Sequence, residues 1–169
     1  MSEIKPEPRT VFPLLALCML LIAGCGMTAD HRPAAPEDLT VRRVWPVPGY
    51  SKDKLFDAAR TWVAKSFSTD LDVIQYANRR EGIVVGETFI PYQRRESMGL
   101  AGNYDLRFTI TVEVKKDRVR TTFTNLRLVE ISKPEALWAS DVKPAHKRLL
   151  ASVESWIKSL KADKREKNW

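Results

Sequence analysis

Tyr104-Asp105-Leu106-Arg107-Phe108-Thr109-Ile110-Thr111-Val112-Glu113-Val114-Lys115 decides the fold. Apolar residues at the even positions alternate without a break with polar residues at the odd ones. Strand side chains point to opposite faces with a period of two, so one face of this strand is buried and the other meets solvent. That pattern marks an antiparallel sheet covered on one side. Lys116 and Asp117 fit a two-residue turn. The returning strand then sets Val114 against Val119 and Ile110 against Phe123 on the buried face. On the open face it sets Glu113 against Arg120 and Thr111 against Thr122, which are favourable cross-strand neighbours. Leu126 and Leu128 fall one position out of phase with Phe123, which predicts a bulge near Asn125.

Upstream of this hairpin, the β-branched and aromatic residues over 41–47 read as a first strand, closed by Pro46 and Pro48 with Gly49 in the turn. Ser51 is placed to cap a helix whose apolar face is Leu55, Ala59, Trp62, Val63 and Phe67. A second strand follows around Leu71 and Val73 to Tyr76, then a polar turn over 78–82. A third strand over 83–90 is expected to stop at Pro91, with a polar loop over 92–102. Downstream, Lys133-Pro134 closes the sheet region. Ser140 or Asp141 is expected to cap a last helix, with Pro144 in its first turn. Val142, Ala145, Leu149, Leu150, Val153, Trp156, Ile157 and Leu160 form its apolar stripe. The order is β-α-β-β-β-β-α. Its α+β solution is an antiparallel sheet with two helices packed on one face.

The N-terminal part reads differently. Ile22-Ala23-Gly24-Cys25 ends a short apolar run preceded by Lys5 and Arg9, the arrangement of a lipoprotein signal peptide. The expected division is a leader over 1–24, a lipidated Cys25 with a flexible tether over 25–40, one domain over 41–160, and a basic tail over 161–169. His31 is expected to be a solvated tether residue. Cys18 leaves with the leader and Cys25 is blocked by lipid, so the domain has no thiol, disulfide or cysteine-based metal site. Gly26, rather than aspartate, after the cysteine favours the outer membrane, facing the periplasm.

The wording of the domain resembles a family of bacterial domains of unknown function with a TATA-binding-protein-like fold. The matching words are Pro48-Gly49-Tyr50-Ser51-Lys52-Asp53-Lys54-Leu55-Phe56 running into Trp62, then Val73-Ile74-Gln75-Tyr76 and Glu81-Gly82-Ile83-Val84-Val85-Gly86. The strand and turn over 112–120 fit as well. The resemblance covers about 41–130 and implies the fold, often carried by exported lipoproteins, without an activity. DNA binding by the eukaryotic namesake is not transferred. The open face of the hairpin, with Arg107, Thr109, Thr111, Glu113, Arg120, Thr122 and Thr124, lacks wedges for kinking a minor groove.

The chain carries 28 Lys and Arg against 21 Asp and Glu, a formal charge of +7. Glu3 and Glu7 cancel Lys5 and Arg9, so the mature protein keeps the excess. The basic pairs Arg42-Arg43, Arg79-Arg80 and Arg94-Arg95 are either solvated turn and edge residues or holders of phosphate, lipid head groups or an acidic partner. Arg94, Arg95, Arg107 and Arg120 are the candidate binding residues, the first two because a long loop is where binding residues concentrate. His146 is the only histidine in the predicted domain and reads as a half-buried structural residue. Trp62 and Trp156 read as core anchors. Ser97, within Glu96-Ser97-Met98-Gly99, has no elbow spacing and no base. Neither a catalytic residue, a metal site nor a cofactor is expected. The expected function is a membrane-anchored, non-catalytic binding or assembly module for an envelope protein or anionic ligand, without nucleic acid. The alternative is an envelope enzyme, using Asp105 or Glu113 beside the arginines, or a glycan- or small-ligand-binding protein using the arginine-rich sheet face and the 92–102 loop.

Overall fold

The computed structural model describes residues 31–67, 73–95, 101–130 and 133–166, with side chains undescribed at 95 and 164–166. The leader, Cys25, residues 26–30, Leu71, the Glu96-Ser97-Met98-Gly99 segment and Trp169 lie outside them. In chain order come β1 (Val41–Pro46), α1 (Lys52–Ser66), β2 (Ile74–Asn78), β3 (Ile83–Arg95), β4 (Ala101–Lys115), β5 (Arg118–Glu130), β6 (Lys133–Glu135) and α2 (Ala139–Glu166). They make one six-stranded sheet of order β1-β5-β4-β3-β2, with β6 also on β5. Every pair is antiparallel. The α+β architecture is as expected, with β6 as an added short strand.

The central hairpin has the expected register. Val114 opposes Val119, Ile110 opposes Phe123, Glu113 opposes Arg120 and Thr111 opposes Thr122. The bulge is there too: the register shifts between Arg107 and Thr109, and Asn125 takes a left-handed conformation with φ 55°. The extra residue returns Leu126 and Leu128 to the core side, where both are buried. Asp117 in the turn has φ 64°. It accepts from the amides of Val47 (2.8 Å) and, through its side chain, Gly49 (2.6 Å), and its own amide donates to the carbonyl of Tyr50 (3.1 Å). The hairpin tip is thereby pinned to the loop between β1 and α1.

One face of the sheet carries the core. Phe108, Ile110, Val112 and Phe123 are fully buried, beneath Leu55, Ala59 and Val63 of α1 and Ala145, Leu149 and Val153 of α2. Each large apolar side chain taken out of water contributes about 1.5–3 kcal/mol. Ser51 caps α1 by accepting from the Lys54 amide at 3.3 Å. Trp62 and Trp156 stack with centroids 4.5 Å apart and planes 6° from parallel, which joins the helices as core anchors. Gly82 sits where β3 leaves its turn, with φ 76°; a Cβ there would lie 2.6 Å from the carbonyl oxygen of Val114.

Three expectations need correction. Pro91 does not end β3, which runs to Arg95 and pairs with β4 as far as Arg95 opposite Ala101. Antiparallel amides alternate sides; that of Glu87 points outward to the carbonyl of Val73 at 3.0 Å. Pro91, four residues on, faces the same way but lies beyond Ile74, where β2 starts, so its missing donor breaks no bond of the β2–β3 ladder. The 92–102 loop is therefore mostly strand. Next, the tether is fixed to the domain from its second half. The Ala34 amide donates to Leu137 (2.7 Å), the Ala139 amide to Arg32 (2.8 Å), and residues Pro36–Leu39 form a 3-10 turn. His31 makes an edge contact with Trp138, centroids 4.5 Å apart. Finally, α2 begins at Ala139, before the expected caps. Asp141 lies inside the first turn and reaches back to the Trp138 amide at 3.1 Å, half of a capping box. Pro144 consequently falls beyond the first turn, within the helix.

Candidate functional site

Because both helices cover the same side, the other face of the sheet is open. Successive Cα partners give its rows. Near the hairpin tip run Asn78, Ile83, Glu113, Arg120 and Val44; next come Tyr76, Val85, Thr111, Thr122 and Arg42. Then follow Glu87, Thr109 and Thr124, and after the bulge Phe89, Arg107 and Arg127. Among the described residues, Val44 and Tyr76 are the most exposed large hydrophobic residues, at 56% and 46%. The face is thus a threonine-rich floor with apolar residues toward its two edges. A cleft of about 250 Å³ near the hairpin tip is lined by Val44, Ile83, Glu113, Arg118 and Arg120.

Ion pairs tie this face together. Arg120 grips Glu113 through two nitrogens, and this charge-assisted contact holds the Glu113 carboxyl below its ordinary value. Arg127 reaches over β4 to Glu87 at 2.9 Å. The Arg42 Nε donates to Thr122 at 3.3 Å. Arg107 differs from all of these. Its Nε is buried without a hydrogen-bond partner, and its Cζ lies 5.4 Å from the centroid of Phe89.

Arg94 is not a loop residue. It points to the helix side of β3 and is only 1% exposed. Its Nε donates to Asp141 (3.0 Å), Nη1 to Glu135 (2.9 Å) and Nη2 to the carbonyl of Ala136 (2.8 Å). The guanidinium is 3.7 Å from the Trp138 ring centroid and 4.9 Å from that of Tyr104. Tyr92 donates to Asp141 at 3.3 Å. Its own pKa is pushed up to about 12, chiefly by burial and then by the Asp141 charge. Arg94 therefore locks β3 to β6 and to the start of α2, and its donors are spent inside the protein. This corrects its assignment as a binding residue.

Arg95 ends β3, with its side chain outside the described residues. Asp105 stands on the open face opposite Pro91 and Val129. His146 donates through Nε2 to the carbonyl of Asp38 at 2.8 Å, the expected structural role. Arg79 pairs with Asp57, and Arg43 lies over Trp45 at 4.3 Å, so these basic residues are partnered. Among the described residues no three His, Cys, Asp or Glu side chains come together as a metal-binding group. Sequence reasoning missed Val44, Tyr76, Glu87, Phe89 and Arg127 as members of the open face. Only Arg127 had a signal, since the bulge at Asn125 reverses its side.

A TBP-like protein from Parabacteroides distasonis ATCC 8503, whose crystal structure was solved at 1.90 Å, superposes with a TM-score of 0.55 at 11% identity, covering 72% of this chain and 90% of its own. A DUF4468 family protein from Bacteroides ovatus ATCC 8483 gives a TM-score of 0.48 at 15% identity, covering 78% and 85%. No curated protein matches the sequence. Residues 42–128 match the domain of unknown function (DUF4468) with TBP-like fold, and the chain belongs to that family.

Proposed function

We propose that this protein is an envelope lipoprotein, anchored through a lipid on Cys25, whose domain is a non-catalytic binding or assembly module acting through the uncovered sheet face. The observation that carries this reading is the one-sided packing. Both helices bury one face, while Val44 and Tyr76 stay largely exposed on the other beside paired arginines. Val44 on β1 and Tyr76 on β2 stand on the two edge strands and frame a face that no element of the described fold covers. Glu113, the first carboxylate to consider for acid–base chemistry, is engaged by Arg120 and held ionised, which makes it a weak base. The leader with Ile22-Ala23-Gly24-Cys25 supports the anchor, and Gly26 supports the outer membrane facing the periplasm.

A photo-crosslinking side chain at Val44 or at Tyr76, in native membranes, should form a discrete adduct with an envelope component. One at Lys158, on the solvent side of α2, should not. Intact mass of the same protein should show loss of residues 1–24 and added acyl mass, both abolished by Cys25→Ala. Equal adducts from all three positions would remove the sheet-face reading, and an unacylated N-terminus would remove the anchor.

A further inference from the structure

The row Phe89, Arg107 and Arg127 contains an arrangement that stability alone does not favour. Arg107 and Arg127 are direct cross-strand partners on the open face. Like charges so placed repel. Arg127 is neutralised by Glu87, whereas Arg107 makes no ion pair among the described residues. Its side chain is half-buried, and its Nε is buried with no acceptor; a buried donor left unpaired is costly. The neighbouring positions on β4, Thr109 and Thr111, show the residue type that would avoid both penalties.

The geometry points to Arg107 as the anchor of a site for a small organic oxyanion, a carboxylate or phosphate ester whose apolar part lies on Phe89. This rests on the reading of the open face as the binding surface. A guanidinium presents a planar fork of donors that matches either oxyanion bidentately. The Phe89 ring beside it, 5.4 Å from Cζ, supplies an apolar floor. Glu87 tunes the site from the edge, since it holds Arg127 and repels an incoming anion. A broad anionic surface fits less well, because Glu87, Asp105 and Glu113 interrupt the positive charge of the face.

Phenyl phosphate and benzoate, titrated by calorimetry into the full-length lipoprotein in non-ionic detergent, test this directly. The wild type should bind at least one of them saturably and should ignore benzyl alcohol, which keeps the ring without the charge. Arg107→Thr should weaken binding about tenfold or more, as loss of a hydrogen bond to a charged group requires. Arg107→Lys should fall between the two. Glu87→Gln should strengthen binding by releasing Arg127, and a thermal melt would show each variant folded. Binding of neither probe, binding unchanged in Arg107→Thr, or binding only to phosphatidylglycerol vesicles would overturn the proposal. If any of these occurs while Val44 and Tyr76 still crosslink selectively, the oxyanion site fails and the binding-face reading stands. Loss of both would remove both.

Discussion

Arg94 on β3 and Arg107 on β4 belong to neighbouring strands of one sheet, yet they sit in opposite chemical situations. Arg94 shares the helix side with Tyr92 and Tyr104, opposite Gly102. There it meets two carboxylates, a carbonyl and two aromatic rings, and none of its charge reaches solvent. Arg107 points the other way and meets Phe89 and a second arginine. The sheet's period of two sends one cation into structure and leaves the other available. Basic composition therefore says little until the face of each residue is known.

The sharpest way to break this comparison is to remove Arg94. Arg94→Ala leaves Asp141 buried without its cation, and such a loss costs about 3–5 kcal/mol. Denaturant melts should show it; a loss below about 1 kcal/mol would mean that Arg94 is no lock. Truncation on the two sides of β4 comes next. Ile110→Ala should cost about 2–5 kcal/mol, and Thr111→Ala about 0.5 kcal/mol or less. Equal losses would mean that both faces are covered.

A smaller effect concerns alkali. Tyr92 has a folded-state pKa raised from 10.0 to about 12, so the folded protein holds this proton more tightly than the unfolded chain does. Its contribution is complete below pH 10 and is lost as pH rises through about 12. Stability measured across that window should decline less steeply in Tyr92→Phe than in the wild type. An unchanged slope would place the phenol in a wetter setting than the Arg94 cluster allows.

The β4–β5 hairpin was legible because each of its levels agrees: alternation, a two-residue turn and complementary pairs. Even the bulge was legible, since Leu126 and Leu128 break phase with Phe123. The extension of β3 was not. Proline reads as a strand breaker, and only the extent of β2, which starts at Ile74, reveals that Pro91 lies beyond the β2–β3 ladder. That single misreading carried Arg94 into a loop, although Tyr92 and Arg94 continue the even-numbered core side begun by Val84. Of the candidate site, Arg107 came from the alternating strand itself and Arg120 from the register of the strand that returns beside it. Phe89 and Glu87 stayed hidden because residues 83–90 are apolar on both faces over much of their length, which leaves the side of each undefined. Partners such as Glu87 and Arg127 depend on strands far apart in sequence, and periodicity within one strand does not supply that information.

The central claim is that the helix-covered face is built for stability while the open face keeps Arg107 at some cost to it. Urea melts of Arg107→Thr against wild type, without added anion, test this most directly. The substitution removes a like-charge pair and an unpartnered buried donor. The variant should be as stable as wild type or more stable by up to about 1 kcal/mol. A loss of several kcal/mol, like that expected for Arg94, would show that Arg107 is a structural residue and would contradict the division between the two faces.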